Sequence, residues 1–180
     1  MGILNRFRIL LAALLLALLV PIQAAPPSPN EYAVKAVFVY NFSRFIDWPH
    51  QAFDSAGEPF IIGIVGEDPF GPLLAEAIQG EFYRGRPIQI RHFREPGDIG
   101  RCHLLFISQA NAANLDAILA SVAGRNVLTV GETEAFLDRG GMIALIAEQN
   151  RVRLRINPAS LRTVNLSVSS KLLQVADIRP

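Results

Sequence analysis

Few side chains in this sequence have the types and the spacing that catalysis, metal binding or cofactor binding requires. Cys102 and His103 are neighbours on a predicted strand, so their side chains point to opposite faces and the imidazole cannot act as a base on the thiol. The other two histidines, His50 and His92, lack the spacing of metal ligands. The glycine motifs of dinucleotide and phosphate loops and the G-x-S-x-G nucleophile motif are absent as well. We therefore predict no catalytic residues, no metal site and no cofactor.

Polar side chains do occur where the predicted strands end. They are Glu67, Asp68, Ser108 and Glu132. Ligands of open α/β sheets bind beyond the carboxyl ends of the strands, so these four residues form a candidate small-molecule site. A hydrolase using Glu67 or Asp68 is a further alternative, although helix capping by itself accounts for Asp68.

These ends belong to short apolar strands that alternate with helices. The strands are predicted at 60–66, 87–93, 104–108 and 127–130, and the helices at 69–79, 112–122, 133–137 and 169–176. Two more strands, 142–147 and 151–156, are close enough for an antiparallel hairpin. This pattern predicts an α/β fold: a three-layer, doubly wound, mostly parallel sheet with a C-terminal antiparallel hairpin.

An earlier helix, predicted over Val34–Trp48, is apolar on nearly every side. One stripe contains Val34, Val37, Phe38, Phe45 and Trp48, with Asn41 in its middle, and the opposite side carries Ala36, Val39 and Tyr40. A one-sided helix does not need this much apolar surface. Either later elements of the domain cover the second side, in which case Asn41 should bond to buried backbone, or a partner covers it.

The second hairpin strand contains three arginines at alternate positions. Period-two alternation places Val152, Leu154 and Ile156 inward and Arg151, Arg153 and Arg155 outward. A row of arginines about 7 Å apart suits an acidic partner. The alternative is a solvated edge whose charges prevent unwanted strand pairing.

The N-terminus has the features of an export signal. Arg6 and Arg8 precede the apolar run Ile9–Val20, which Pro21 ends, and Ala24 suits cleavage. The run is short for a bilayer span, which favours a signal peptide over an anchor helix. We expect a signal peptide at 1–24 and one domain at 25–180.

Removal of the signal changes the charge balance. The signal holds two of the 17 basic residues, which leaves 15 against 16 acidic residues and a net charge of −1. An exported domain so close to neutrality is a poor candidate for binding nucleic acid.

A single cysteine is unusual in an exported domain. Cys102 has no partner in the chain for a disulfide. The simplest interpretation is a small buried side chain. A disulfide between chains and a reactive thiol are the alternatives.

Several segments, in order, cover nearly everything after the signal. They are VKAVFVYNFSRFIDWP, FIIGIVGEDPFG, GRPIQIRHF, CHLLFIS, VLTVGETEAFLDRGGMIALIAEQNRVRLRINPASL and LSVSSKLLQVA. This ordered set resembles the YfiR family of small exported proteins. The resemblance implies a periplasmic location, a response-regulator-like α/β domain that tends to dimerise, and no catalysis.

The resemblance also implies a regulatory role. A YfiR-like protein binds the periplasmic sensor domain of an inner-membrane diguanylate cyclase and lowers cyclic-di-GMP, and an outer-membrane lipoprotein can sequester it. The paired cysteines of the family's named member are not present, so redox control by an internal disulfide does not carry over. Because tryptophan and arginine are favoured in interfaces, we predict partner contacts at Asn41, Arg44, Trp48, Arg151, Arg153 and Arg155.

Overall fold

The computed structural model describes residues 29–178, so the predicted signal peptide lies outside the described residues. An eight-stranded sheet contains β2 (Phe60–Val65), β3 (Phe82–Tyr83), β4 (Arg86–Phe93), β5 (Leu104–Ile107), β6 (Leu128–Gly131), β7 (Ile143–Glu148), β8 (Arg151–Ile156) and β10 (Asp177–Ile178). A separate antiparallel pair consists of β1 (Ile46–Asp47) and β9 (Ser167–Val168). The helices are α1 (Pro29–Phe45), α2 (Pro72–Ile78), α3 (Leu115–Ser121), α4 (Glu134–Asp138), α5 (Pro158–Leu161) and α6 (Ser170–Val175).

The strand order creates a crevice at one end of the sheet. Neighbouring strands run β3-β4-β2-β5-β6-β7-β8-β10, and the five from β4 to β7 are parallel. The chain passes from β2 to β4 on one side and then to β5 on the other side of β2. The topological switch point therefore lies between β2 and β5, where folds of this order bind their ligands.

Two apolar clusters lie on opposite faces of the sheet. The cluster under α1 and α2 includes Val39, Phe42, Ile62, Leu74 and Phe106, and the cluster under α3 and α4 includes Ile61, Leu105, Ile118 and Phe136. Successive strand residues supply alternate clusters because their side chains alternate in direction. This arrangement confirms the predicted α/β fold with helices on both faces of a mostly parallel sheet.

The first helix ends earlier than the sequence predicted. It ends at Phe45, and the next two residues, Ile46 and Asp47, pair with Val168 and Ser167 of β9. The Phe45 carbonyl accepts a hydrogen bond of 2.8 Å from the Ser169 N–H. Pairing with a distant segment therefore replaces the last predicted turn, which would have included Trp48.

The second helix starts later than predicted. Asp68 does not cap it; instead its Oδ1 atom accepts a bond of 2.8 Å from the Phe70 N–H and forms a local turn. Gly71 then has a φ of 53°, which glycine adopts without strain, and α2 begins at Pro72. The predicted helix at 112–122 is also shorter, since 3₁₀ structure occupies Gln109–Asn114.

The C-terminal hairpin is confirmed. Strands β7 and β8 pair antiparallel from Ile143↔Ile156 to Glu148↔Arg151, so the turn contains only Gln149 and Asn150. Both turn residues have positive φ, 49° and 61°, as a tight hairpin turn requires. Within residues 29–178, none of the helices is both long and apolar enough to cross a bilayer.

Candidate functional site

The two sides of α1 differ sharply in exposure. Ala36, Val39 and Phe42 are buried against the sheet, whereas Val34 and Val37 are 38% and 51% exposed. Of the predicted stripe, Val34 and Val37 are exposed, whereas Phe38 and Phe45 pack partly against the core and Trp48 is buried. We call the exposed side the outer face of α1: Val34, Val37, Phe38, Asn41 and Arg44. The domain therefore covers one apolar side of this helix and leaves the other largely open among the described residues.

Asn41 and Arg44 both lie on this outer face. Asn41 is half-buried, and within residues 29–178 its amide does not form the bond to buried backbone that was expected if the domain covered this side of the helix. Arg44 is exposed, with its guanidinium 5.7 Å from the centre of the Tyr40 ring. Tyr40 donates to Glu81, and burial together with that hydrogen bond raises the pKa of its hydroxyl. Arg44 is thus held at the surface beside an ordered aromatic ring.

Trp48 lies inside the domain. Its indole Nε1–H donates to the His103 carbonyl at 2.9 Å, and its ring packs edge-on against Phe60 and Tyr83. The residue is 4% exposed, so its side chain cannot meet a partner at the surface. Trp48 therefore supports the fold, and we do not retain it as a contact residue.

His103, which sequence reasoning treated as incidental, connects three segments around Trp48. Its Nδ1 atom accepts from the Ile61 N–H at 2.9 Å, and its Nε2–H donates to the Ala52 carbonyl at 3.1 Å. Burial lowers the pKa of His103 to about 4, so the ring is neutral and holds its proton on Nε2. No sequence motif marks this role, because the partners are backbone groups far along the chain.

Lys35 lies at the carboxyl edge of the sheet, beside Glu132, which follows β6. Its ammonium lies 2.7 Å from Glu132 and 2.5 Å from Glu31, and it is almost completely buried. The second oxygen of Glu132 accepts from the Gln109 N–H at 2.8 Å. Burial, followed by the charge and hydrogen bond of Glu132, raises the pKa of the Tyr32 hydroxyl. A side chain of α1 therefore neutralises the Glu132 carboxylate at the carboxyl ends of β5 and β6.

The other predicted strand-end residues are only partly brought together. Ser108 is buried and accepts from the Asn111 amide at 3.0 Å, while the same amide donates to the Val65 carbonyl at 2.9 Å. Asp68 contacts His92 at 2.9 Å near the surface, and Glu67 is exposed. A small molecule could bind the Glu132 carboxylate only by displacing Lys35 or the Gln109 N–H.

The arginine row is split between two environments. Arg155 is largely buried and forms ion pairs with Glu134 and Glu148, which corrects the prediction that all three arginines point to solvent. Arg151 and Arg153 are exposed, and neither has an acidic partner within the described part of the chain. Only these two arginines are available for an external contact.

Cys102 and His103 come just before β5; Cys102 is buried in the second apolar cluster, whereas His103 stacks on Phe60 of the first. Burial raises the pKa of its thiol to about 11. This placement agrees with the simplest interpretation, a small buried side chain. Among the described residues, no three histidine, cysteine or acidic side chains gather into a group that could hold a metal ion.

Comparison with known proteins identifies a family. A family model described as YfiR/HmsC-like matches residues 32–177. No curated protein matches the chain.

Solved structures share the fold at low identity. A conserved domain protein from Vibrio cholerae O1 biovar El Tor matches with a TM-score of 0.50 and 12% identity, over 66% of this chain and 54% of that one. The ABC domain in complex with L-Trp from Streptococcus pneumoniae matches with a TM-score of 0.55 and 10% identity, over 79% and 59%. This chain matches little more than half the length of those proteins, and at such identity the likeness shows the fold alone.

Proposed function

This chain belongs to the YfiR/HmsC-like family, and we propose that it is a periplasmic regulator that represses an inner-membrane diguanylate cyclase. On this proposal the chain binds the periplasmic sensor domain of the cyclase and lowers the synthesis of cyclic-di-GMP. The proposal includes export by the predicted signal peptide at 1–24, since the partner domain lies outside the inner membrane.

The outer face of α1 is the observation that carries this proposal. Val34 and Val37 leave apolar surface in water beside the charged Arg44, although the same helix buries its other side completely at Ala36 and Val39. Apolar surface next to arginine is typical of protein interfaces. A protein that acts by binding a partner needs such a face.

Competition for this face would explain release of the cyclase. An outer-membrane lipoprotein that covered Val34, Val37 and Arg44 would exclude the sensor domain from them. A second copy of the chain on the same face would have the same effect. Regulation by contact then requires only one surface, the outer face of α1, for which several proteins compete.

A deletion strain tests the proposal. Deleting the gene should raise cyclic-di-GMP and biofilm, and the wild-type gene should restore both. Val37→Glu should fail to restore them, because it places a charge in the centre of the outer face. Ala117→Glu is the control, since Ala117 is exposed on α3, which packs on the opposite face of the sheet from α1.

The outcomes are distinct. Unchanged cyclic-di-GMP in the deletion strain would remove the proposal altogether. Full activity of Val37→Glu would leave the regulatory role in place but exclude the outer face of α1 as its contact surface.

A further inference from the structure

The outer edge of β8 is open for most of its length. Strand β8 pairs with β7 along all six residues, but β10 pairs only with Arg155 and Ile156. Residues 151–154 therefore have no strand on their outer side within residues 29–178. Unpaired strand edges are sites at which another extended chain can add.

The alternation of hydrogen-bonded residues along the β7–β8 hairpin shows which backbone groups of β8 face its open edge. In a two-residue hairpin the closing pair is hydrogen-bonded, so Arg151, Arg153 and Arg155 direct their backbone groups to β7. The Asn157 N–H donates to the Met142 carbonyl at 2.9 Å, so this residue, two positions after Arg155, also directs its N–H towards the β7 side. The N–H and carbonyl of Val152 consequently point to the open edge, and no hydrogen bond from a loop or helix of residues 29–178 reaches them.

Positive charge accompanies this edge. The arginine side chains of β8 project from one face of the strand, and Arg155 is neutralised by Glu134 and Glu148. Arg151 and Arg153 have no such acids among the described residues, so two guanidinium groups flank the open backbone of Val152. A partner strand could therefore bind both the backbone groups of Val152 and the guanidinium groups of Arg151 and Arg153.

We propose that the outer edge of residues 151–154 binds an extended, acidic segment of a partner protein as an added strand. The segment would bond to the Val152 backbone and place carboxylates opposite Arg151 and Arg153, where bidentate pairs can form. The backbone contributes affinity, and the two arginines select for acidic side chains at alternate positions.

A second copy of the chain is a poor occupant. Residues directly opposite in an antiparallel pair lie on the same face, so symmetric pairing of two β8 edges places arginine against arginine. Like charges directly opposite destabilise a strand pair. The arginines therefore reject self-association and favour an acidic strand at the same edge.

Short synthetic peptides test the edge directly. The probe is a peptide that alternates glutamate and valine, compared with its lysine-for-glutamate counterpart and with a version methylated on its backbone nitrogens. We expect only the first to slow hydrogen exchange of the Val152 amide. Arg153→Glu should weaken its binding about tenfold or more. Arg162→Glu, an exposed charge reversal outside β8, should leave binding unchanged.

A second variant removes the backbone donor without altering charge. Val152→Pro takes away the outward N–H, and an edge strand tolerates proline where the N–H is not part of the ladder. We expect loss of peptide binding in a chain that still unfolds cooperatively. If this variant does not fold, the methylated peptide tests the same hydrogen bonds.

Other outcomes would overturn the inference. Equal binding of the acidic and basic peptides would show that the arginines do not select. Binding to vesicles containing anionic lipid that Arg153→Glu abolishes, without protection of Val152 by the peptide, would assign the arginines to a membrane. A dimer that Val152→Pro dissociates would assign the edge to a second copy.

The inference deepens the proposed function, since the sensor domain of the cyclase is the partner expected to supply the strand. Experiments can contradict the edge inference and the proposed function independently of each other. If that domain binds Val152→Pro and Arg153→Glu as well as the wild type, the edge inference is wrong and the regulatory role stands. If the acidic peptide protects Val152 but deletion leaves cyclic-di-GMP unchanged, the edge stands and the regulatory role does not.

Discussion

The Nζ atom of Lys35 lies 2.7 Å from Oε1 of Glu132, and both side chains are almost completely buried although 97 residues separate them. The pair fastens α1 to the loop that follows β6, at the carboxyl edge of the sheet. Together with the buried Ala36, Val39 and Phe42, it fixes which side of the helix faces outward. The surface on which the proposed regulation depends therefore rests in part on this buried contact.

Lys35→Met should destabilise the domain by about 3–5 kcal/mol, because it leaves the Glu132 carboxylate buried without its counter-charge. Urea unfolding measures the loss. The double variant with Glu132→Gln should recover part of it, since the buried Glu132 charge is then removed as well. Asp47→Asn, which breaks the exposed pair with Arg84, is the control and should cost less than about 1 kcal/mol. An equally small effect of Lys35→Met would contradict the structural role of the pair.

Stability should fall in mild acid because of His103. The pKa of this residue is about 4 in the folded state, below its ordinary value of 6.5, so the unfolded state binds more protons between these values. The part of the free energy of unfolding that depends on neutral His103 is fully present above pH 6.5 and is lost as the pH falls towards 4. We expect a loss of about 2 kcal/mol between pH 7 and pH 4.5 from this group.

Urea unfolding at the two pH values, compared with a substituted chain, isolates that contribution. His103→Gln should show a smaller difference between pH 7 and pH 4.5 than the wild type, whereas His50→Gln, at an exposed position, should keep it. An unchanged pH dependence in His103→Gln would show that other groups are responsible.

The Cys102 thiol should be inert in the folded protein. Burial removes access, and a pKa of about 11 leaves little thiolate at pH 8. Labelling with a thiol reagent should be about a hundredfold slower in buffer than in denaturing urea. Equal rates, or a disulfide-linked dimer on a non-reducing gel, would instead support the reactive or intermolecular alternatives.

The two sides of α1 should respond oppositely to charge. Val37→Glu should change the free energy of unfolding by less than about 0.5 kcal/mol, since the side chain is already in water. Val39→Glu should cost more than about 4 kcal/mol, because its carboxylate would be buried without a partner. Comparable losses in both variants would mean that the domain covers both sides of the helix.

Much of the fold could be predicted from local patterns. The runs at 60–66 and 104–108 became the central parallel strands, and the alternation at 151–156 became the second strand of a hairpin. The elements that were missed, such as β3, β10 and the pair of β1 with β9, have two residues each. Such short segments carry no periodic signal and form only because a distant strand is near.

The candidate surfaces were predictable only in part. The stripe of Val34 and Val37 was found, but Trp48 was assigned to it because the helix was extended by one turn too many. The arginine row was also predicted, but Arg155 forms ion pairs with Glu134 and Glu148, which no local pattern could place beside it. The burial of Lys35 was not predicted, since its partner Glu132 lies in another element.

The sequence by itself determined the class of sheet, the hairpin and the presence of two apolar sides on the first helix, because these follow from side-chain periodicity within one segment. Tertiary structure alone decided which apolar side faces water, that Trp48 is internal, and that Arg151 and Arg153 remain free of acidic partners among the described residues. Those outcomes depend on contacts between segments far apart in the chain. The buried pair of Lys35 and Glu132 is the clearest example, since neither residue has a local reason to be buried.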